Sequence, residues 1–541
     1  MSRTRRSTLT YLTGLLFTGL TLVVGFVTTP VLLRWLGSER FGAFRAASDW
    51  GGYIGLLELG LGGALLPLLA RSLSAREEGA TGMILSAGVR AYTRAALAML
   101  LAGGLFTFLL PCLVPVRPET VFDLRWGWCI GILGSVLVTP FFPFRFLAEA
   151  GQEAYIVNLL LVLRSLVIYV VAVILAYWNW GITGQYLAVS LGGVGMFLAL
   201  AGYGRRRCPG LAVQILGRPP PAEVRRELWK LNWPTLAFNL CGRVSLLTDN
   251  ILIACLLGPA LVVPFVITQR LATLAQGQLQ NLGTASWAGL AELHASRQLE
   301  TFNKRLVELT SLVGVLGMAS MIPIAAYNRP FVTLWIGADH FGGSWVSLLA
   351  VVNGYLLAIF SLWGWAINGT GQVAVLLPLT VVGTIVNFGL SLGGTFVFGL
   401  PGPLLGTGAA LVGVYVWWMP LLLHRTFGIS LRDLLGAVLR PPALGLPFAV
   451  VVAWASQAYP PCGWIGLGLE MAGTGFLYLA LAWWVLLKRE DRLVWRARVR
   501  FVLPFKAVTT VSPTRERGKP SRFPRSRVGL TVVLSGFFHG K

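Results

Sequence analysis

Fourteen apolar runs follow one another from Tyr11 to Leu487 with only short breaks between them. A run of about 20 such residues is long enough to cross the hydrocarbon of a bilayer as a helix. No water-soluble core could hide that much apolar surface, so the sequence predicts an all-α polytopic membrane protein. The expected spans are 8–33, 43–70, 83–112, 126–146, 154–177, 181–204, 233–257, 261–290, 306–327, 344–367, 373–396, 404–423, 441–458 and 464–487. The first run follows Arg3, Arg5 and Arg6 but has no small-residue cleavage site after it. It reads as a retained signal-anchor helix.

The formal net charge of +23 would raise the question of nucleic acid in a soluble chain. Here its distribution answers otherwise, and no nucleic-acid partner is expected. The segment from Lys488 to Lys541 alone carries +11, from 14 Lys or Arg less 3 Asp or Glu. Most of the remaining excess sits in alternate loops, at Arg71 and Arg76, Arg205 to Lys230, Arg297 to Arg305, and Arg425 to Arg440. Lys and Arg concentrate on the cytoplasmic side, so both termini are expected inside, with an even number of spans. The loops on the other side are too short for a catalytic domain.

The organisation expected is two six-helix lobes in parallel repeat, 1–207 and 233–427. A Pro-rich cytoplasmic linker over 208–232 joins them, with Arg218-Pro-Pro-Pro-Ala-Glu223 at its centre. Two further helices fill 428–487 after a break at Arg440-Pro-Pro442, and a basic, Ser- and Pro-rich tail over 488–541 reads as disordered. The repeat shows at an offset of 221, where Leu36-Gly37 matches Leu257-Gly258, Phe44 matches Phe265, and Leu69-Ala70 matches Leu290-Ala291. Six helices return the chain to its starting side. The two halves are then related by an axis along the membrane normal, an arrangement found in transporters.

A charge at the centre of a span costs roughly 2.5–3.5 kcal/mol on insertion scales and usually faces a bundle interior or wet cavity. Seven such residues stand out: Asp49, Glu58, Arg164, Arg243, Asp249, Arg270 and Glu470. Gln269, Thr273, Gln276, Gln280 and Thr284 share one face of the eighth span. A polar stripe in lipid means either a water-filled cavity or a hydrogen-bonded helix contact, and Arg270 beside it favours the cavity. The glycines around Glu58 admit two readings, a carboxyl held in a low-dielectric pocket or a close helix contact. Six scattered cysteines, four scattered histidines and the lack of a phosphate-binding Gly-rich loop or hydrolase motif point to no metal, no cofactor and no enzyme.

Leu36-Gly-Ser-Glu-Arg-Phe-Gly-Ala-Phe44, Tyr53-Ile-Gly-Leu-Leu-Glu-Leu-Gly-Leu61 and Ala70-Arg71 resemble the first helix pair of bacterial polysaccharide flippases. These belong to the multidrug/oligosaccharidyl-lipid/polysaccharide exporter superfamily. Thr248-Asp-Asn-Ile-Leu252, Leu257-Gly258 and Gln269-Arg-Leu271 resemble the start of that family's second half. The resemblance implies a central cavity opening alternately to the two sides of the bacterial cytoplasmic membrane. It implies an isoprenoid-diphosphate-linked sugar as cargo, and membrane lipids and polysaccharide-assembly proteins as partners. Arg243, Arg270 and Arg164, with Gln269, Gln276 and Gln280, would then bind cargo, and Glu58 and Asp249 would couple transport to an ion gradient. A drug or metabolite exporter of the same superfamily is the first rival, and a membrane glycosyltransferase or polymerase the second.

Overall fold

The computed structural model describes residues 3–58, 60–75, 78–208, 240–245, 247–487 and Arg492. The Pro-rich linker beyond Cys208, the first part of the seventh span and the basic tail, except Arg492, lie outside the described residues. Among the described residues the chain is helical throughout, without a strand. Eleven helices are long and apolar enough to cross a membrane, or twelve with one bent pair taken as a single span.

The long first helix, α1 (Arg3–Ile54), is two spans merged across Gly37. A short 3-10 turn (Gly55–Glu58) and α2 (Leu61–Ala75) complete the second span. Then come α3 (Glu78–Leu113), α4 (Pro118–Val138) continued by α5 (Phe142–Ala150), α6 (Ala154–Tyr177) and α7 (Gly181–Arg207). The seventh span ends as α8 (Leu247–Leu256). The eighth is the bent pair, α9 (Val262–Thr268) and α10 (Arg270–Ala295), with 54° between its parts. The remainder are α11 (Leu299–Trp335), α12 (Ser344–Gly369), α13 (Val373–Phe398), α14 (Gly402–Phe427), α15 (Leu431–Ala458) and α16 (Gly463–Val485). Counting the two arms of α1 separately and α8 as the end of a span gives fourteen.

The repeat is visible in the backbone. Gly37 (φ 74°, ψ 165°) and Gly258 (φ 101°, ψ 151°) both adopt a conformation that L side chains rarely take. Glu78 and Leu299, which start α3 and α11, are again 221 apart, as are Gly181 and Gly402, which start α7 and α14. The two glycine turns meet where the lobes touch. A Cβ on Gly42 would fall 1.8 Å from the Pro259 carbonyl oxygen, so only glycine allows that approach.

Small residues set the helix spacing within each lobe, as expected where lipid supplies no hydrophobic drive between helices. Gly127, Gly131 and Gly134 on α4 take Ile182, Tyr186 and Ser190 of α7 against bare backbone. Gly406 on α14 does the same for Ser391 on α13. At one end of the amino-terminal lobe Asp123 caps α7, accepting from Ile182 N (2.8 Å), Thr183 N (2.9 Å) and Thr183 Oγ1 (2.8 Å). At the other end Glu153 gathers Arg6 at 3.3 Å, Arg207 and Tyr203. The two added helices, α15 and α16, pack on α11.

One expectation fails here. Arg440-Pro-Pro442 does not break the chain, because α15 runs through both prolines from Leu431. Pro442 cannot donate to the Val438 carbonyl four residues before it, and the Tyr355 hydroxyl of α12 donates to that oxygen instead, at 3.2 Å. The same repair recurs. Pro30 leaves the Phe26 carbonyl without its helical donor, and Trp335 Nε1 supplies one at 2.9 Å while its ring stacks on Phe26 at 4.8 Å. Pro330 leaves that of Ala326, which Ser456 Oγ reaches at 3.4 Å. Trp335→Phe should therefore lower stability by about 1–3 kcal/mol, the cost of one buried unsatisfied carbonyl. Thermal unfolding in detergent checks this, and Trp345→Phe, at a position 67% exposed, should leave the midpoint unchanged.

Candidate functional site

A cavity of about 490 Å³ opens inside the amino-terminal lobe. Its walls are the second arm of α1 with the turn after it, α3 at Met99, α4, α5, α6 and α7, and Arg243 of the seventh span closes it from the other lobe. Gly55 faces open space, whereas Gly52 is where Leu247 and Arg243 of the seventh span come close. Glycine thus serves both purposes along one helix. It hollows the chamber at Gly55 and admits the opposite lobe at Gly52.

Four charged side chains line this space: Glu58, Arg145, Arg164 and Arg243. Glu58 ends the 3-10 turn, just before Gly60, whose φ of 66° breaks the second span. Spans two and eight, equivalent in the repeat, are both interrupted. Interrupted helices in corresponding positions of two halves mark the binding region in many transporters. Arg145 comes from α5 and is tied to Glu149 at 2.8 Å. Arg164 comes from α6, and its Nε is buried without a hydrogen-bond partner. Arg243 is exposed to the cavity. Neither Arg164 nor Arg243 has an ion-pair partner within 4 Å among the described residues. The lining alone therefore carries three guanidinium groups against one carboxylate.

The remaining expected site residues lie elsewhere. Arg270 follows the 54° bend of the eighth span and sits beside span one. Its Nη2 is 3.4 Å from where a Cβ on Gly25 would be, with the Tyr169 hydroxyl nearby. It does not line the arginine cavity. Gln269 turns back on its own helix, donating to the Phe265 carbonyl at 3.2 Å. Gln276 lies half-buried against Gly354 of α12. Gln280 donates to Ser361 Oγ of α12 at 3.0 Å. For Gln280 the stripe is thus a helix contact, the second of the two readings the sequence allowed.

Asp249 belongs to a polar seam between the lobes. Thr248 bonds Tyr53 at 2.7 Å, and Asn250 donates to Asp49 Oδ2 at 2.8 Å. Asp249 Oδ1 is buried between these pairs with no partner. Sequence reasoning passed over Arg145, whose only signal was a basic residue near the predicted end of the fourth span. Helical continuation through Thr139–Phe141 brings it into the wall.

Two repeated helical bundles define a class of polytopic membrane fold, and solved structures share it. "Lipid II flippase MurJ" in an inward closed conformation superposes with a TM-score of 0.67 at 14% identity, over 88% of this chain and 99% of that one. An inward-facing multidrug resistance MATE family transporter of the MOP superfamily gives 0.61 at 16% identity, over 75% and 96%. An outward-facing MATE transporter gives 0.54 at 16%, over 76% and 96%. The chain has the fold of that exporter superfamily. No protein-family model and no curated protein matches its sequence.

Arg164→Leu is expected to stabilise the fold by about 1–3 kcal/mol, since it removes a buried donor, Nε, that has no hydrogen-bond partner. Thermal unfolding in detergent reads this directly. Destabilisation would mean that the guanidinium is held by a partner within the protein.

Proposed function

We propose that the protein is a flippase for isoprenoid-diphosphate-linked oligosaccharide or polysaccharide repeat units. It would work by alternating access between lobes 1–207 and 233–427, without covalent chemistry. One observation carries this reading: Arg164 and Arg243 face a sheltered cavity with no ion-pair partner among the described residues. A diphosphate headgroup cannot cross hydrocarbon unaided, and guanidinium is the side chain best matched to phosphate oxygens. Arg145 adds a third guanidinium at the same chamber. Arg243 belongs to the opposite lobe, so a cargo held by Arg164 and Arg243 together would bind most tightly when the lobes are close on that side. The positive loops support cytoplasmic termini in a bacterial cytoplasmic membrane. Polysaccharide-assembly proteins are the partners this activity calls for.

Glu58 and Asp249 fit ion coupling. Glu58 shares the chamber with the arginines, and Asp249 lies in the seam that must part when the lobes separate. Arg270, with Tyr169, stands at the margin of span one, where a charged headgroup entering from the side would pass it. A multidrug exporter is the second reading. It draws on the likeness to MATE transporters, and the excess of guanidinium in the chamber weighs against cationic cargo.

The test is transport in proteoliposomes loaded with a fluorescent polyprenyl-diphosphate sugar. Arg164→Ala and Arg243→Ala should each cut the rate at least about tenfold, the loss of one charge-assisted contact to phosphate, with insertion unchanged. Movement of cationic dyes but not of the sugar lipid would establish the exporter instead. Glu58→Gln and Asp249→Asn should retain cargo binding yet lose the response to an imposed proton or sodium gradient. An unaltered response in both would remove them from coupling.

A further inference from the structure

The carboxy-terminal lobe holds a second hollow, a cleft of about 540 Å³ between α11, α15 and α16. Each helix turns one face to it, with lining residues three or four apart. Midway along these faces stand Ser311, Gly436, Ala437 and Ala482, all too small to fill the space between three helices. The deeper wall is apolar, formed by Leu312, Val315, Leu316, Leu479 and Trp483. The cleft spans the first ten residues of α15 and the last of α16, so its mouth is at the membrane face where Arg297, Arg425 and Arg432 lie.

The charges at this cleft are specific. Glu308 is paired with Arg305 at 2.8 Å. Asp433 and Arg440, both exposed, have no ion pair and no side-chain hydrogen bond from their charged groups among the described residues. They are seven residues apart on one face of α15, about 10 Å along the axis. Asp433 lies nearer the start of the helix and the water, and Arg440 deeper. Arg440 leans back along α15, its guanidinium 3.8 Å from where a Cβ on Gly436 would be, so that, reading inward, the cleft presents an anion, then a cation, then the apolar wall.

A phospholipid with a primary ammonium headgroup presents the complementary order: ammonium outermost, phosphodiester beneath it, acyl chains below. We propose that this cleft is a binding site for one such zwitterionic lipid, phosphatidylethanolamine. Asp433 accepts from its ammonium, Arg440 donates to its phosphate, and an acyl chain lies along the apolar wall in the space left by Ala437 and Ala482. Phosphatidylglycerol would satisfy Arg440 with the same phosphate but leave Asp433 without a cationic partner. A choline headgroup would offer Asp433 no hydrogen bond. The bound lipid would be a wall element joining the two added helices to the lobe, whatever cargo the arginine cavity takes.

The full chain, reconstituted in nanodiscs of equal phosphatidylethanolamine and phosphatidylglycerol, is released and its retained lipid identified by native mass spectrometry. Phosphatidylethanolamine should be retained, and Asp433→Asn and Arg440→Gln should each reduce its occupancy about tenfold, the loss of one charge-assisted hydrogen bond. Ala437→Phe, which fills the hollow, should abolish it. Should that variant fail to fold, the delipidated wild type answers in its place. Its melting temperature should rise on adding phosphatidylethanolamine but not phosphatidylglycerol, and that of Arg440→Gln should respond to neither. Retention of phosphatidylglycerol, of a polyprenyl lipid or of no lipid would overturn the proposal. So would equal retention of phosphatidylethanolamine by wild type and Asp433→Asn.

Discussion

A polar group in hydrocarbon must find its partner within the protein, because there is no water to supply one. This chain meets that demand unevenly, and the unevenness organises it. Three of the backbone carbonyls that prolines release inside spans are met by neighbours: Phe26 by Trp335, Val438 by Tyr355, Ala326 by Ser456. Each repair crosses from one helix to another, so a local defect becomes an interhelical tie. Hydroxyls in spans turn back on their own helix, as Thr29 does to Gly25 and Thr310 to Leu306. Against that background the guanidinium groups of Arg164 and Arg243 stand out, since neither has an ion pair among the described residues.

The same principle separates the lobes' interiors from their contact. Gly42 against Pro259 brings the two turns together with no side chain between them. Below that point the interface becomes a polar seam of Tyr53, Thr248, Asn250 and Asp49. Apolar surfaces pressed together in lipid gain little from separating or joining, but hydrogen-bonded pairs exist only when they meet. A contact of this kind has two discrete arrangements, made or broken, which the alternating access proposed above would use.

Much of this was legible in the sequence because lipid imposes simple rules. Apolar length alone yields the spans. The offset of 221 could be read because Gly37 and Gly258 hold a backbone conformation that few other residues tolerate. What could not be read is direction around a helix axis over long distances. Arg270 and Arg243 look alike in sequence, yet the bend after Thr268 sends Arg270 to span one while Arg243 meets the chamber. Arg145 was missed because its wall position depends on α4 continuing through a 3-10 turn into α5. Pro441 and Pro442 looked like a break because the donor that repairs one of them, Tyr355, is 83 residues away in sequence.

The distribution of small residues carries this reasoning one step further. Gly131 and Gly134 cannot accept a Cβ, since Tyr186 and Ser190 occupy the space, so they fix how closely α4 and α7 lie. Gly55 meets nothing within 4 Å and leaves room for something that is not protein. Composition cannot tell these cases apart, because both are glycines in an apolar helix. The difference lies in what stands opposite. Where a bulky neighbour fills the gap, the glycine is a packing device. Where nothing stands opposite and charged side chains such as Glu58 and Arg164 line the gap, the missing side chain leaves open space beside them.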